Sequence, residues 1–304
     1  MWSNRKVLDG VWAGLATDAP SNADVVIIGV GFEGGAGGAG GASLGPDQVR
    51  ELSRRGKQAS RHGVDFAQLR IFDAGNVVTQ RFDLAATVAH LRAVYDKVFG
   101  EVRVPVLTLG GDHSITYPIV SAAAVGSRLG LIWFDAHPDV LEEYQGSRIS
   151  HGSPLRRVID DGAVRPEDVL VVGTRAYDPG EVEYLTKLGI HEVRAADFAD
   201  DRAAALATYR RRVTALAEQV DRLYISVDID ILDASVAPGT GTPVAGGIDT
   251  ATLLTMLEFL PHKVAAFDVM EFAPAHDVGS MTGDAVMAII TAMLAHVGGA
   301  EHSL

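Results

Sequence analysis

The stretch GLIWFDAHPD, residues 130–139, joins an apolar run typical of a buried strand to a cluster of metal-binding side chains. Asp135, His137 and Asp139 follow the run at alternate positions, and Pro138 ends the strand and bends the chain outward. Two of these side chains could reach one metal ion and the third a neighbouring ion. The stretch therefore predicts a buried strand with a functional site at its carboxyl end.

Three other strand-like runs end in the same way. His113 lies in GGDHS (110–114) after PVLTL, Asp228 and Asp230 lie in SVDID (226–230) at the end of LYISV, and Glu271 follows AAFDVM. In an extended chain Asp228 and Asp230 share one face, and two carboxylates so close repel unless a cation lies between them. If this motif is considered alone, an alternative remains: one aspartate caps a following helix and the other faces solvent.

Short β-branched runs alternate with amphipathic stretches along almost the whole chain. The runs predict strands at 25–30, 69–73, 106–109, 131–135, 169–173, 223–228 and 264–269, with a weaker one near 191–194. The stretches predict helices at 46–55, 84–99, 117–125, 180–188, 203–220, 252–260 and 284–296, with Asp83 and Asp249 as caps. This alternation predicts one three-layer α/β/α domain over 1–304, with a mostly parallel sheet of about eight strands and an N-terminal extension at 1–23.

The predicted ligands define the chemistry of the site. Two imidazoles and four carboxylates, in a chain without cysteine, make a hard nitrogen and oxygen set that suits Mn²⁺ better than structural zinc. Four carboxylates can neutralise about two divalent cations, so the sequence predicts a two-metal centre and hence an enzyme.

Composition excludes several other classes of protein. The formal net charge of −13 and the lack of a basic stripe argue against nucleic-acid binding, although an acidic surface is compatible with a cationic substrate. The N-terminus lacks the apolar run of a signal peptide, and the longest apolar run, 285–299, is shorter than the ~18 residues of a membrane span. With no cysteine to form disulfides, we expect a cytoplasmic protein that does not bind membranes.

A glycine-rich stretch, GVGFEGGAGGAGGASLGP (29–46), contains the spacing Gly29-x-Gly31-x-x-Gly34 of a dinucleotide-binding loop. In that motif a helix begins at the glycines, whereas here glycines continue to Gly45 and Pro46 is the expected helix start. We therefore reject a Rossmann oxidoreductase.

The motifs GGDHS, DAHPD, SHGSP (150–154), SVDIDILDASVAPGTGTP (226–243) and DVMEFAPAHD (268–277) together resemble the ureohydrolase family of arginases and agmatinases. The resemblance implies an arginase-like fold, two Mn²⁺ per chain and a homotrimer or homohexamer. It also implies that the glycine-rich stretch at 29–46 shapes the rim of the active-site cleft. By the family pattern, His113 and Asp139 bind one ion, His137 and Asp230 bind the other, and Asp135 and Asp228 bridge both. A non-catalytic paralogue is the alternative, but such proteins typically lose ligands and all six are intact here.

The resemblance also assigns catalytic roles and products. His151 in SHGSP matches the proton shuttle, Glu271 the carboxylate that pairs with the guanidinium, and Asp230 the residue that orients the attacking water. Without the resemblance, His151 is more typical of a surface loop and Glu271 of a strand-end salt bridge. The expected products are urea and an amine.

The substrate's far end is recognised by less specific segments. APGTGTP (237–243) and EFAPAHD resemble agmatinases, whereas YDPGEVEYLTKLGI (177–190) resembles the arginase segment that contacts an α-amino group through Asp178 and Glu181. Arg148, in LEEYQGSRIS (141–150), could meet a carboxylate by charge. Agmatine, cleaved to putrescine, is therefore the first prediction. Arginine, cleaved to ornithine, is second, and a guanidinobutyrate- or hydroxyarginine-type substrate is third.

Overall fold

All eight predicted strands lie in one sheet, and every pair of neighbours is parallel. The computed structural model describes residues 10–18 and 20–298. The strands are β1 (Val25–Gly29), β2 (Ile71–Asn76), β3 (Val106–Leu109), β4 (Leu129–Phe134), β5 (Val169–Val172), β6 (His191–Val193), β7 (Arg222–Asp228) and β8 (Val264–Met270). Their order across the sheet is β2-β1-β3-β8-β7-β4-β5-β6.

Helices cover both faces of the sheet, as predicted. They are α1 (Gly45–Ser53), α2 (Leu84–Glu101), α3 (Thr116–Ala123), α4 (Pro154–Asp160), α5 (Glu181–Leu188), α6 (Ala195–Gln219), α7 (Thr250–Glu258) and α8 (Met281–Val297). Alternate residues of β4 belong to different apolar cores, with Ile132 and Phe134 in one and Leu131 and Trp133 in the other. Because side chains alternate along a strand, two cores separated by one sheet confirm the three-layer architecture.

The helix predictions missed one element and misplaced the start of another. Helix α4 has only seven residues, too few to show a helical period in the sequence. Helix α6 begins at Ala195 rather than 203, but its backbone is non-helical at Asp201, whose carboxylate accepts the main-chain N–H of Ala203 and Ala204. The predicted boundary is therefore the restart of the helix after a capped kink.

The described part of the predicted N-terminal extension packs against the domain. A 3₁₀ turn at Val11–Gly14 buries Trp12, whose indole N–H donates to the Asp73 carboxylate at 2.8 Å. Ala16 forms a bridge with Ile71 at the edge of the sheet. Residues 1–9 of the extension lie outside the described residues.

Strand order explains why the candidate ligands converge. The strands β3, β8, β7 and β4 are consecutive neighbours in the middle of the sheet, and His113, Glu271, Asp228 and Asp135 lie at their respective carboxyl ends. Since parallel strands end at the same edge, these side chains meet above the sheet. No helix in the described part of the chain is long and apolar enough to cross a membrane.

Candidate binuclear metal site

One group of candidate ligands surrounds the imidazole of His113. Its Nδ1 lies 3.1 Å from Asp135 Oδ2, 3.1 Å from Asp228 Oδ2 and 3.3 Å from Asp139 Oδ2. All four side chains are buried. Asp139 has a left-handed backbone with φ of 54°, a conformation that is uncommon for a non-glycine residue.

A second group surrounds His137 and shares Asp135 with the first. His137 Nδ1 lies 3.1 Å from Asp230 Oδ2 and 3.5 Å from Asp135 Oδ1. Asp135 therefore turns one oxygen towards each histidine, which is the arrangement a bridging carboxylate needs. Asp228 instead uses Oδ1 to accept the Asp230 main-chain N–H at 2.9 Å.

Hydrogen bonding fixes the tautomer of His113, and therefore which ring nitrogen carries the proton and which one is an acceptor. Ser226 Oγ donates to Asp268 Oδ1 at 2.7 Å, so it must accept the Nε2–H of His113, from which it lies 2.8 Å away. The lone pair of Nδ1 then faces three carboxylates, and Nδ1 is one of the few buried side-chain atoms in the described chain without a hydrogen-bond partner. A lone pair among carboxylates requires a cation, so the residues present fit a bound divalent ion.

The charges of the site lead to the same conclusion. Burial and the neighbouring carboxylates raise the pKa values of Asp139 and Asp228 well above the usual range of a carboxyl group. Burial opposes protonation of His137, but Asp135 and Asp230 raise its pKa to about 12. The cluster therefore attracts positive charge strongly, which two divalent cations would supply.

A cavity of about 170 Å³ opens directly above these two groups. It is smaller than the roughly 300–1,000 Å³ pockets of drug-sized ligands, so it suits a small molecule. Its walls include the predicted His151, Asp178, Glu181 and Glu271, together with Gly37, Leu141, Tyr144, Gly152 and Thr242. A larger cavity of about 450 Å³, near α1, α7 and α8, contains none of the predicted site residues.

Glu271 is held rigidly at the cavity wall. Its Oε1 accepts the main-chain N–H of His113 at 2.8 Å, and its backbone φ is 63°. Burial, followed by the nearby charge of Asp112, raises the pKa of Glu271 to about 8. A bound cation would oppose that shift, so this carboxyl group is placed to gain from a positively charged ligand.

His151 lies at the mouth of the same cavity. Its main-chain N–H donates to Gly35 O at 2.9 Å. Its imidazole packs edge-to-face with the ring of Tyr144, with the ring centroids 5.4 Å apart. Burial and the charge of His137 lower the pKa of His151. A partly exposed imidazole in the wall of the cavity is placed to exchange protons between the cavity and solvent.

The three predicted tail-binding residues occupy different environments. Asp178 is exposed and lines the cavity. Glu181 is buried, and its two oxygens accept the main-chain N–H groups of Val140 and Asp178, so it joins two loops of the site. Arg148 is exposed and does not line the cavity.

Sequence reasoning missed Tyr144 and Asp112, which lie against the glycine-rich loop that the sequence predicts at the rim of the cleft. A Cβ at Gly37 would collide with the Tyr144 hydroxyl group, so glycine allows the loop to approach the cavity. Asp112 accepts the main-chain N–H of Gly35 at 2.7 Å, and Gly35 in turn accepts that of His151. The signals that could have revealed these two residues are the aspartate within GGDHS and the tyrosine that follows DAHPD by five residues.

Comparison with known proteins identifies the family to which this chain is similar. The model of the arginase family matches residues 23–295. Guanidinopropionase of Pseudomonas aeruginosa is 32% identical over 86% of this chain and 83% of its own length. Mitochondrial agmatinase of Gallus gallus is 33% identical over 85% of this chain and 76% of its own.

Solved structures show the same fold. Proclavaminate amidinohydrolase from Streptomyces clavuligerus superposes with a TM-score of 0.82 at 29% identity, covering 93% of this chain and 94% of that one. The chain belongs to the arginase family. It is an arginase-family amidinohydrolase, which confirms the class of enzyme predicted from the motifs.

Proposed function

We propose that this protein is a binuclear manganese hydrolase that cleaves agmatine to urea and putrescine. The observation that carries the choice of substrate is the charge of the cavity wall. Around the metal groups the wall presents the carboxylates of Asp178, Glu181 and Glu271, and within the described chain no lysine or arginine lines it. Such a wall favours a substrate that is positively charged at both ends.

Six residues would hold the two ions. His113, Asp135, Asp139 and Asp228 surround one position, and Asp135, His137 and Asp230 surround the other. When bound, two such cations acidify water so that hydroxide is available near neutral pH. The mixed imidazole and carboxylate set, without thiolates, is the reason for proposing Mn²⁺.

The protein's own side chains then orient the substrate and move its protons. Glu271 would pair with the planar guanidinium, because one of its oxygens is fixed by the His113 N–H and the other remains for the ligand. Asp230 would orient the nucleophilic water by hydrogen bonding. His151 would carry a proton between the leaving amine and solvent, since it lines the cavity and is partly exposed.

The far end of agmatine is a primary ammonium group, and Asp178 is the exposed carboxylate of the cavity wall. Arginine, guanidinopropionate and guanidinobutyrate all carry a carboxylate that would face this acidic wall without a basic partner. Guanidino acids are nevertheless the second candidates, because the relatives named for them are as similar to this chain as the agmatinases are. Arginine is the third.

Release of urea from a panel of substrates tests the proposal. Metal-free protein reconstituted with Mn²⁺ would be assayed with agmatine, arginine, guanidinopropionate and guanidinobutyrate at equal concentrations. We expect the highest kcat/KM for agmatine. A higher kcat/KM for a guanidino acid would overturn the choice of substrate but not the class of enzyme. A cytoplasmic location, a single domain over 1–304 and a homotrimer or homohexamer remain predictions.

A further inference from the structure

One arginine outside the ligand set joins the two ligand-bearing turns of the site. Arg175 follows β5, and its guanidinium is partly buried beneath the turn that contains Asp230. Its Nη2 donates to the carbonyls of Asp230 at 2.6 Å and Leu232 at 3.1 Å, and Nη1 donates to that of Ile231 at 3.3 Å. One side chain thus binds three consecutive carbonyls at the end of the VDID turn.

The same guanidinium extends to two further segments. It donates to Val244 O at 2.8 Å and Ala245 O at 3.3 Å in the loop after APGTGTP, and to Gly173 O at 3.2 Å at the end of β5. A planar guanidinium with five N–H donors can reach six carbonyls from three directions when one N–H is shared between two of them. A lysine ammonium, with three donors at one point, cannot.

The main chain of Arg175 holds the other ligand-bearing turn. Its N–H and that of Ala176 both donate to Ala136 O, at 2.9 and 3.0 Å. Ala136 lies between Asp135 and His137, and its own N–H donates to Asp230 Oδ1 at 3.1 Å. Arg175 therefore ties DAHPD through its backbone and VDID through its side chain.

We propose that Arg175 is the positioning residue of the second metal group, Asp135, His137 and Asp230. This inference rests on the proposed two-metal centre and assigns to the chain a residue on which that centre depends. The group needs such support because the His137 side chain is 30% exposed, whereas that of His113 is 1% exposed and stacks on Trp133 with ring centroids 4.1 Å apart. The histidine of the first group is thus held by packing, whereas the turn that carries Asp230 of the second group is held by the arginine.

Charge and geometry predict opposite effects when the arginine is removed. The positive charge of Arg175 lies near Asp230 and Asp135, where it repels a metal cation. If charge alone mattered, Arg175→Met would strengthen binding of Mn²⁺. If the guanidinium positions the turns, both Arg175→Met and Arg175→Lys weaken it, because neither side chain can bind all the carbonyls.

The experiment is a calorimetric titration of metal-free protein with Mn²⁺. We expect two ions per chain in wild type, and in both variants a second binding step weakened about 10- to 100-fold with the first step unchanged. The increase in melting temperature on saturation with Mn²⁺ should shrink in parallel. Because Arg175→Met removes every contact of the guanidinium with these six carbonyls and is expected to lower the yield of protein, Arg175→Lys is the decisive variant.

Arg222 supplies the matched control. It lies at the amino end of β7, whereas Asp228 lies at the carboxyl end of the same strand. Its guanidinium donates to Ala123 O at 3.1 Å and Ser127 Oγ at 2.6 Å. Arg222→Lys should lower stability without altering either binding step. An unchanged second step in Arg175→Lys, or a stronger one in Arg175→Met, would overturn the inference while leaving the metal centre intact. Wild type that binds no Mn²⁺ would instead refute the proposed function.

Discussion

The floor and the rim of the cavity are built in different ways. The floor consists of the six candidate ligands, five of them buried, which lie at or just beyond the carboxyl ends of β3, β4 and β7. The rim consists of Tyr144, Asp178 and Thr242, which lie on connecting loops and are partly or fully exposed. A floor fixed by the sheet can serve one chemistry in many proteins, while loops at the rim change the substrate.

The names of the relatives are consistent with this division. Proteins named agmatinase, guanidinopropionase and guanidinobutyrase match this chain over at least 84% of its length at 30–34% identity. Their names share the cleavage of a guanidino compound and differ in what the guanidino group is attached to. We therefore expect substitutions in the floor to abolish activity, and substitutions in the rim to change its selectivity.

The largest effect should follow from removing a floor carboxylate. Asp228→Ala should lose bound metal and nearly all activity, and it should be more damaging than His113→Ala. The reason is that Asp228 both faces His113 and holds the Asp230 main chain in place. Metal content by mass spectrometry and urea release are the measurements. Asp221→Ala, at the other end of β7, is the control, and full activity in metal-free protein would refute the two-metal mechanism.

A smaller loss should follow from removing the proton carrier at the mouth of the cavity. His151→Asn should lower kcat by ~10²-fold, the usual contribution of a general acid–base group, with metal content unchanged. The control is His191→Asn, at the amino end of β6. If His151→Asn lost metal but kept its rate per bound ion, His151 would be a ligand or a structural residue.

Glu181 connects the floor and the rim of the cavity, and replacing it should change how the free energy of unfolding depends on pH. Burial, followed by the charge of Asp178, raises its pKa from 4.5 to about 7. A carboxyl group whose pKa is raised by folding stabilises the folded protein fully below its pKa in the unfolded chain. This stabilisation is lost as the pH rises through its pKa in the folded protein. Between pH 5 and 8, the free energy of unfolding of metal-free wild type should therefore fall by about 2 kcal/mol relative to Glu181→Gln.

Denaturant titrations across this pH range measure the difference. Glu183→Gln, an exposed residue in the first turn of the same helix, is the matched control. A constant difference between wild type and Glu181→Gln at all pH values would show that Glu181 is not held in a buried, proton-binding state.

The sequence predicted that the side chains of the floor lie together, because the signals for the strands that carry them are local and regular. Apolar runs followed by ligands located the carboxyl ends of β3, β4 and β7, and the capping of α2 by Asp83 and of α7 by Asp249 is confirmed. Sequence spacing does not give the direction of a loop side chain, so neither the exposure of Arg148 nor the contact of Tyr144 with His151 could be predicted. The role of Arg175 was equally hidden, because its partners are carbonyls, which no residue type reveals.

The smallest effect, and the sharpest test of the rim, concerns Asp178. If it pairs with the terminal ammonium of agmatine, Asp178→Asn should lower kcat/KM for agmatine about fivefold, since an exposed ion pair contributes about 1 kcal/mol. The effect should shrink as salt is added, because screening weakens exposed pairs. Arg148→Ala should leave kcat/KM for agmatine unchanged, because Arg148 lies outside the cavity wall. A large loss in Arg148→Ala on a guanidino acid that wild type hydrolyses well would instead show that the rim selects a carboxylate, with the floor unaltered.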